Sequence, residues 1–272
     1  MLNGLYFSDD ANLNSYDFKG LCILTILTKE DIKSSRWRLN IDMLKMAAKI
    51  RKKNPNDFQS ATLTFFGLGG RDDRAIMRRM ASDPQGQRLV RERVPLPAGI
   101  LKPEFYQNFP VGSLGRIYFE HCDTLGLDPE FLSIESAKVS DTLPITETHR
   151  YVYYRHRDSH DFWHVLTGYG TDMAGEAGII GWTFAQTGNR AYGLIALLNA
   201  TLCATRGRFD VFKTAWSGFL HGKKSPLLMV IDWEGYMDMP IDVVRKSIGL
   251  SLSNPYQPFE MQDAPGADKI NH

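Results

Sequence analysis

Helical punctuation constrains this chain more than any other feature of its sequence. After residue 167 the triplet Gly168-Tyr169-Gly170 breaks a run of apolar residues at helical spacing. Asp172 suits the cap of a new helix over 173–187, and Gly188 suits its end. Further helices are predicted over 191–204 and 210–220. Upstream, the spacing predicts helices over 41–53 and 71–81. Asp83-Pro84 starts another through Arg93, since Asp favours the cap and Pro the first turn. A helix follows Gly112-Ser113-Leu114-Gly115-Arg116 and ends near Gly126, one spans 146–167, and Gly249 closes a last one over 241–248. Only residues 227–231, and Leu21-Cys22-Ile23-Leu24 as strand or helix fragment, leave room for β-structure. The expected fold is mainly α: a single-domain helical bundle with an antiparallel helix hairpin.

The helical body spans 41–250, preceded by an extension over 1–40 of unclear structure and followed by a polar, Pro-containing stretch over 251–272 expected to be a flexible tail. A body of this size buries enough apolar surface to fold without disulfides or metal. Cys22, Cys122 and Cys203 are odd in number, far apart and without CxxC spacing, so reduced thiols in a cytosol-like compartment are expected. A net charge of +1 exerts no strong pull on nucleic acid, and no nucleic-acid partner is expected. Asp9 and Asp10 stand early and no basic run leads into an apolar one, so no secretory signal is read. The most apolar stretch, 191–205, is interrupted by Tyr192, Asn199 and Thr201 and falls short of a membrane span. Such a protein is expected not to cross a membrane, though it can lie on one.

Chemistry-bearing residues concentrate between His149 and Glu176. Each helical residue advances about 100°. Tyr153, Arg157, His160, Asp161 and His164 therefore share one arc, with Phe162, Val165 and Leu166 on the other side. His164 precedes the Gly168 break by one turn and Glu176 follows the Asp172 cap by one turn; a helix hairpin brings such positions level. His, Asp, His and Glu around one point can hold zinc or iron with a position left for water or substrate. If all four bind a tetrahedral ion, an open site requires five-coordination or an Asp161 set back from the ion. Spacing alone also allows a salt-bridged surface face with Arg155, Arg157 and Asp158. The pattern is not the metalloprotease helix, because Asp161 stands where that motif needs Glu.

The stretch Tyr151-Val152-Tyr153-Tyr154-Arg155-His156-Arg157-Asp158-Ser159-His160-Asp161-Phe162-Trp163-His164, with eleven residues before Glu176, resembles the signature of the coenzyme Q (ubiquinone) biosynthesis protein 4 family. The family pattern is His-Asp, two variable residues, His, eleven residues, Glu, and every fixed position matches. Asp83-Pro84 with Gly86, the segment from Gly112 to Arg116, Gly175, Gln186-Thr187-Gly188 and Val244-Arg245-Lys246-Ser247-Ile248-Gly249 also look like the family. The resemblance covers roughly residues 41–250. It implies a helical protein, peripheral on the inner (cytoplasmic) face of a membrane, or on the matrix face of the mitochondrial one in a eukaryote. Its substrate would be a polyprenylated hydroxybenzoate that loses its C1 carboxylate and gains a hydroxyl there. His160, Asp161, His164 and Glu176 would be the ligands of a divalent metal, zinc first, with iron or another divalent cation as alternatives. The implied partners are the prenylated aromatic lipid, the membrane surface and other ubiquinone-biosynthesis proteins, and a homodimer is allowed. A cation would act on the ring carboxylate or phenolate as a Lewis acid, while dioxygen activation suits a redox metal better than zinc. Arg157 is either a partner of the substrate carboxylate or a support for Asp158 or Asp161.

Within 173–187, Ala174, Gly178, Gly181 and Ala185 form a small-residue stripe. Mid-helix Gly costs about 1 kcal/mol relative to Ala. The compensation is either a substrate-binding groove for the isoprenoid tail at Gly178 and Gly181, continued by Leu194, Ile195, Leu197 and Leu198, or close helix packing. The arginines of 71–93 either meet anionic lipid or a prenyl phosphate, or form a solvated face. His121, His149, His156 and His221 are read as ordinary polar residues. Two other functions compete with the enzyme. One is a non-catalytic lipid-binding scaffold that organises the biosynthetic complex. The other is a His-Asp phosphohydrolase using His121 or His149 with Asp210 or Asp232, which would leave Glu176 idle.

Overall fold

Side-chain caps set where most helices begin. In the computed structural model, which describes residues 26–54 and 57–259, Asn40, Asp57, Asp83, Ser113, Asp128, Thr146, Asp172 and Asn189 each accept a hydrogen bond from a first-turn N–H. The helices are α1 (Lys29–Ser34), α2 (Ile41–Lys53), α3 (Phe58–Gly67), α4 (Arg74–Ala81), α5 (Pro84–Glu92), α6 (Leu114–Leu125), α7 (Pro129–Ser140), α8 (Glu147–Asp158), α9 (His160–Thr167), α10 (Met173–Thr187), α11 (Arg190–Ala204), α12 (Asp210–Lys224) and α13 (Ile241–Ile248). The described residues contain no β-strand, so the mainly α expectation holds.

Helix α10 lies at the centre. Eleven of its fifteen residues are buried, as suits a helix that is apolar all round. Its neighbour α12 approaches so closely that a Cβ on Gly181 would overlap the Ala215 carbonyl, and one on Gly218 would overlap the Gly178 carbonyl. A Cβ on Gly178 would also collide with the Tyr169 ring. Close packing therefore occupies the space at Gly178 and Gly181 that a tail groove would need. The main core gathers Met77, Met80, Tyr118, Phe162, Trp163, Leu166, Trp182 and Trp233. A second cluster, with Ala47, Leu63, Phe66, Val139 and Tyr153, joins α2, α3, α7 and α8.

Several expectations shift. The helix expected over 146–167 is two helices, interrupted at Ser159, whose N–H turns to the His156 carbonyl at 3.2 Å while its hydroxyl takes the Arg155 carbonyl at 2.7 Å. Residues 227–231 hold a single 3-10 turn, Leu228–Val230, rather than a strand. Helices α1, α3 and α7 lay outside the sequence reading. Six of ten residues in α3 are buried, so it has no polar face to reveal a period. The stretch over 251–259, expected to be flexible, is tied down instead. Ser253 N–H donates to the Thr167 carbonyl at 2.7 Å, Met173 N–H to the Phe259 carbonyl at 2.8 Å, and Phe259 is buried. The Leu21-Cys22-Ile23-Leu24 element and residues 260–272 lie outside the described residues.

Candidate metal centre

Two short connections aim the site. Gly168, at φ 79°, ends α9 in the left-handed conformation that favours glycine. Asp172 then starts α10 by accepting from Ala174 N–H and Gly175 N–H, each at 3.1 Å. The intervening loop is held from outside by Tyr256, whose hydroxyl accepts from Gly170 N–H at 2.8 Å and donates to Asp172 at 2.9 Å. Gly175 must be glycine here, since a Cβ would overlap the Gly170 carbonyl. At the same C-terminal end of α9, Arg245 donates to the Val165 and Leu166 carbonyls at 2.8 and 3.0 Å, satisfying acceptors the last turn leaves open.

His160, His164 and Glu176 converge: all three offer a ligand atom within 4.8 Å of the others. The Nε2 atoms of His160 and His164 stand 3.2 Å apart. Glu176 Oε1 is 3.2 Å from His164 Nε2, and Oε2 is 3.7 Å from His160 Nε2. Donors bound at about 2.0–2.1 Å to a tetrahedral ion stand about 3.3 Å apart, so the set has the right size. The Tyr169 carbonyl accepts from His164 Nδ1 at 3.0 Å. A carbonyl only accepts, so Nδ1 carries the hydrogen and a neutral His164 turns a lone pair on Nε2 inward, as metal-binding histidines do. His164 is 1% exposed, whereas His160 and Glu176 are 32% and 29% exposed, so one side of the cluster faces outward.

Electrostatics agree with a site short of positive charge. Burial pushes the Glu176 carboxyl up, but the hydrogen bonds and charges of His164 and His160 outweigh it and hold the group below the usual carboxylate range. Burial pulls His160 down, yet the hydrogen bond and charge of Glu176, helped by Asp161, leave it raised. The protein thus favours a cation among these three side chains, a proton if nothing else.

Asp161, the remaining member of the motif, is not in the converging set. Its charge bears on Tyr118, His121 and Cys122 of α6. Arg157 does not join the site, since its guanidinium is engaged by other side chains. It donates to Asp158 at 2.7 Å and lies 4.4 Å over the Tyr154 ring, the supporting role rather than the substrate-facing one. Gly178 serves the site indirectly by making room for Tyr169, whose carbonyl orients His164.

His121 went unrecognised in the sequence. Its ring stacks on His164 with centroids 6.3 Å apart and planes 22° from parallel, and its buried Nε2 has no hydrogen-bond partner among the described residues. Burial, then the His164 neighbour, lower its proton affinity against the pull of Asp161. The helical spacing of Leu114, Tyr118, His121 and Cys122 was the available signal. The phosphohydrolase pairings do not form. His149 binds Asp73 at 3.1 Å, Asp210 binds Arg208 at 2.7 Å, and Asp232 binds Arg88. A cleft of about 520 Å³ lined by Pro97, Phe105, Phe109, Glu234 and Met237 shares no residue with the cluster.

The family model described as coenzyme Q (ubiquinone) biosynthesis protein Coq4 matches residues 72–254. The chain is 30% identical over 178 residues to the ubiquinone biosynthesis protein COQ4, mitochondrial, of Yarrowia lipolytica, covering 64% of this chain and 65% of that one. It is 31% identical over 172 residues to the Aspergillus fumigatus protein of the same name, covering 63% of this chain and 58% of that one. The chain thus spans less than two thirds of the length of these relatives. A crystal structure described as a ubiquinone biosynthesis protein from Nostoc punctiforme PCC 73102 shares the fold, with a TM-score of 0.56 and 19% identity over 78% of this chain and 99% of that chain. With the family match spanning His160, Asp161, His164 and Glu176, the chain belongs to the coenzyme Q (ubiquinone) biosynthesis protein Coq4 family.

Proposed function

We propose that the chain acts in coenzyme Q biosynthesis as a metal-dependent enzyme that decarboxylates and hydroxylates C1 of a polyprenylated hydroxybenzoate. The observation that carries this reading is the convergence of two imidazole Nε2 atoms and a carboxylate, with His164 locked in the ligand tautomer by Tyr169. His160, His164 and Glu176 hold the cation, and Asp161 supports them from beside His160. When bound, a divalent cation supplies Lewis-acid polarisation of the ring carboxylate or phenolate, and iron also supplies the redox chemistry hydroxylation with dioxygen requires. Glu176 stays ionised and contributes charge. The partly exposed edges of His160 and Glu176 leave the outer side of the cluster to the ring. The partners are the prenylated ring and other proteins of the same pathway, with the chain peripheral to the membrane on its inner face.

The test is metal content, followed by CO₂ release from a short-tail prenylated hydroxybenzoate, for the parent, His164→Ala and Glu176→Gln. Close to stoichiometric metal with turnover, both lost in the variants, supports the enzyme. Metal without turnover favours the non-catalytic scaffold. A folded, chelator-free preparation that takes up neither zinc nor iron refutes the metal site.

A further inference from the structure

Seven large apolar side chains stand exposed on α11, α12 and their connection. On α11, Leu197, Leu198 and Leu202 follow helical spacing, while the other face buries Ala196, Ala200 and Cys203. On α12, Phe212, Trp216 and Leu220 recur every fourth residue, opposite the buried Val211, Thr214 and Gly218. Phe209, in the connection, is 69% exposed, and Trp216 is 61% exposed. The two stripes are continuous through Phe184 of α10. Its ring lies 5.5 Å from Phe219, which stacks at 5.3 Å on Trp216, and a Cβ on Gly193 of α11 would touch it at 3.3 Å. A patch of this extent marks an interaction surface rather than scatter.

The charge around it identifies the occupant. Residues 190–224 hold six basic side chains and a single acidic one, in a chain whose total is only +1. Asp210 is paired with Arg208 and Arg190 contacts Asp72. Lys213, Lys223 and Lys224 are exposed and have no ion pair among the described residues. The arginines of 71–93 include the exposed Arg78 and Arg91, but no large apolar side chain is exposed in that stretch, and three others are engaged by the protein itself. Arg79 donates to the Gln186 carbonyl, Arg74 pairs with Asp72, and Arg88 pairs with Asp232 and Glu92. No helix of the described residues is long and apolar enough to cross a membrane. Two apolar stripes rimmed by lysine and carrying an exposed tryptophan have the chemistry of a helix pair lying in a headgroup layer. A second copy of the chain would set the same lysines against each other.

We propose that the α11–α12 face docks on an anionic phospholipid bilayer, with Phe209, Phe212 and Trp216 entering the headgroup layer and Lys213, Lys223 and Lys224 meeting lipid phosphates. The end of this face adjoins the site. Ala174 and Ala177, which flank Glu176, pack with Ala200, Cys203 and Val211. The assignment deepens the proposed function by naming its membrane face, and rests on that reading only for the purpose of docking. Vesicle binding needs neither metal nor turnover, so the two can fail separately.

The test is flotation of the full chain with phosphatidylcholine vesicles with and without phosphatidylglycerol, read together with tryptophan emission. Binding is expected with phosphatidylglycerol and weakened by salt, with a blue shift because Trp216 is more exposed than the buried Trp163, Trp182 and Trp233. Phe209→Ser with Trp216→Ser should weaken binding roughly tenfold or more, and each Lys→Gln change at 213, 223 or 224 by about fivefold. Phe105→Ser and Phe131→Ser, exposed elsewhere, should leave it unchanged. Three outcomes overturn the proposal: no binding to anionic vesicles, equal binding by the Phe209 and Trp216 double variant, or a dimer in sedimentation that Trp216→Ser dissolves.

Discussion

Replacing Gly181 by alanine puts a methyl group against the Ala215 carbonyl oxygen, with the Ala215 carbonyl carbon 3.1 Å and the Phe219 nitrogen 3.3 Å away. All three are backbone atoms of α12, so no rotamer change can make room and the helices must part. Alanine in mid-helix gains about 1 kcal/mol over glycine. Forcing one extra carbon into a packed interior costs about 1–3 kcal/mol, and parting the helices also loosens the reciprocal Gly178–Gly218 contact. The two terms leave roughly 0–2 kcal/mol of loss, and because only backbone atoms meet the methyl the expectation is the upper half, about 1–2 kcal/mol. For a chain of this size that lowers Tm by about 2–4 °C per kcal/mol. Urea unfolding followed by circular dichroism measures it, and an unchanged slope shows that the unfolded state is unaffected. Gly193→Ala is the control, since its methyl meets only the Phe184 ring and the helix gain should roughly offset the contact. A Gly181→Ala protein as stable as the parent would mean that α10 and α12 do not touch there, and the tail groove would return.

Burial drives His156 down to about 4 from an ordinary 6.5. The folded chain therefore binds fewer protons than the unfolded one between those values. Its contribution is complete above pH 6.5 and erodes as pH falls toward 4. The loss, about 3 kcal/mol at most, should shrink in His156→Asn, and equal pH slopes for the two proteins would refute the assignment. Tyr256→Phe removes two hydrogen bonds from the loop that carries the Tyr169 carbonyl. Chelator competition should show about tenfold weaker metal binding; unchanged affinity would mean the loop does not position His164. Arg245→Met leaves the Val165 and Leu166 carbonyls without their donor. Thermal unfolding should register a loss of about 1–3 kcal/mol, and none would mean that water serves those carbonyls equally well.

Much of this was legible one residue at a time. The Asp83-Pro84 start, the Gly168 stop and the Asp172 cap are local devices whose hydrogen bonds reach four residues or fewer, and each appears where expected. The His160–His164 pair needed only one helical turn. Glu176 needed the loop length as well. What escaped the sequence reading lacked a local mark. Ser159 keeps near-helical dihedrals, φ −89° and ψ −5°, so the interruption between α8 and α9 leaves the apolar period intact. The polar stretch after residue 250 carries its two anchors, Tyr256 and Phe259, among residues of a flexible composition.

The sequence by itself determined the helical class, most helix ends and the motif His160, Asp161, His164 and Glu176, because caps, periods and spacings act over a few residues. Tertiary structure decided which motif members converge, that His121 joins their wall, and that the glycines of α10 serve packing. It also decided which apolar stripes stay uncovered, since α11 and α12 both bury one face on α10 and expose the other. Each of these depends on the distance between side chains far apart in the chain, and only packing sets that distance.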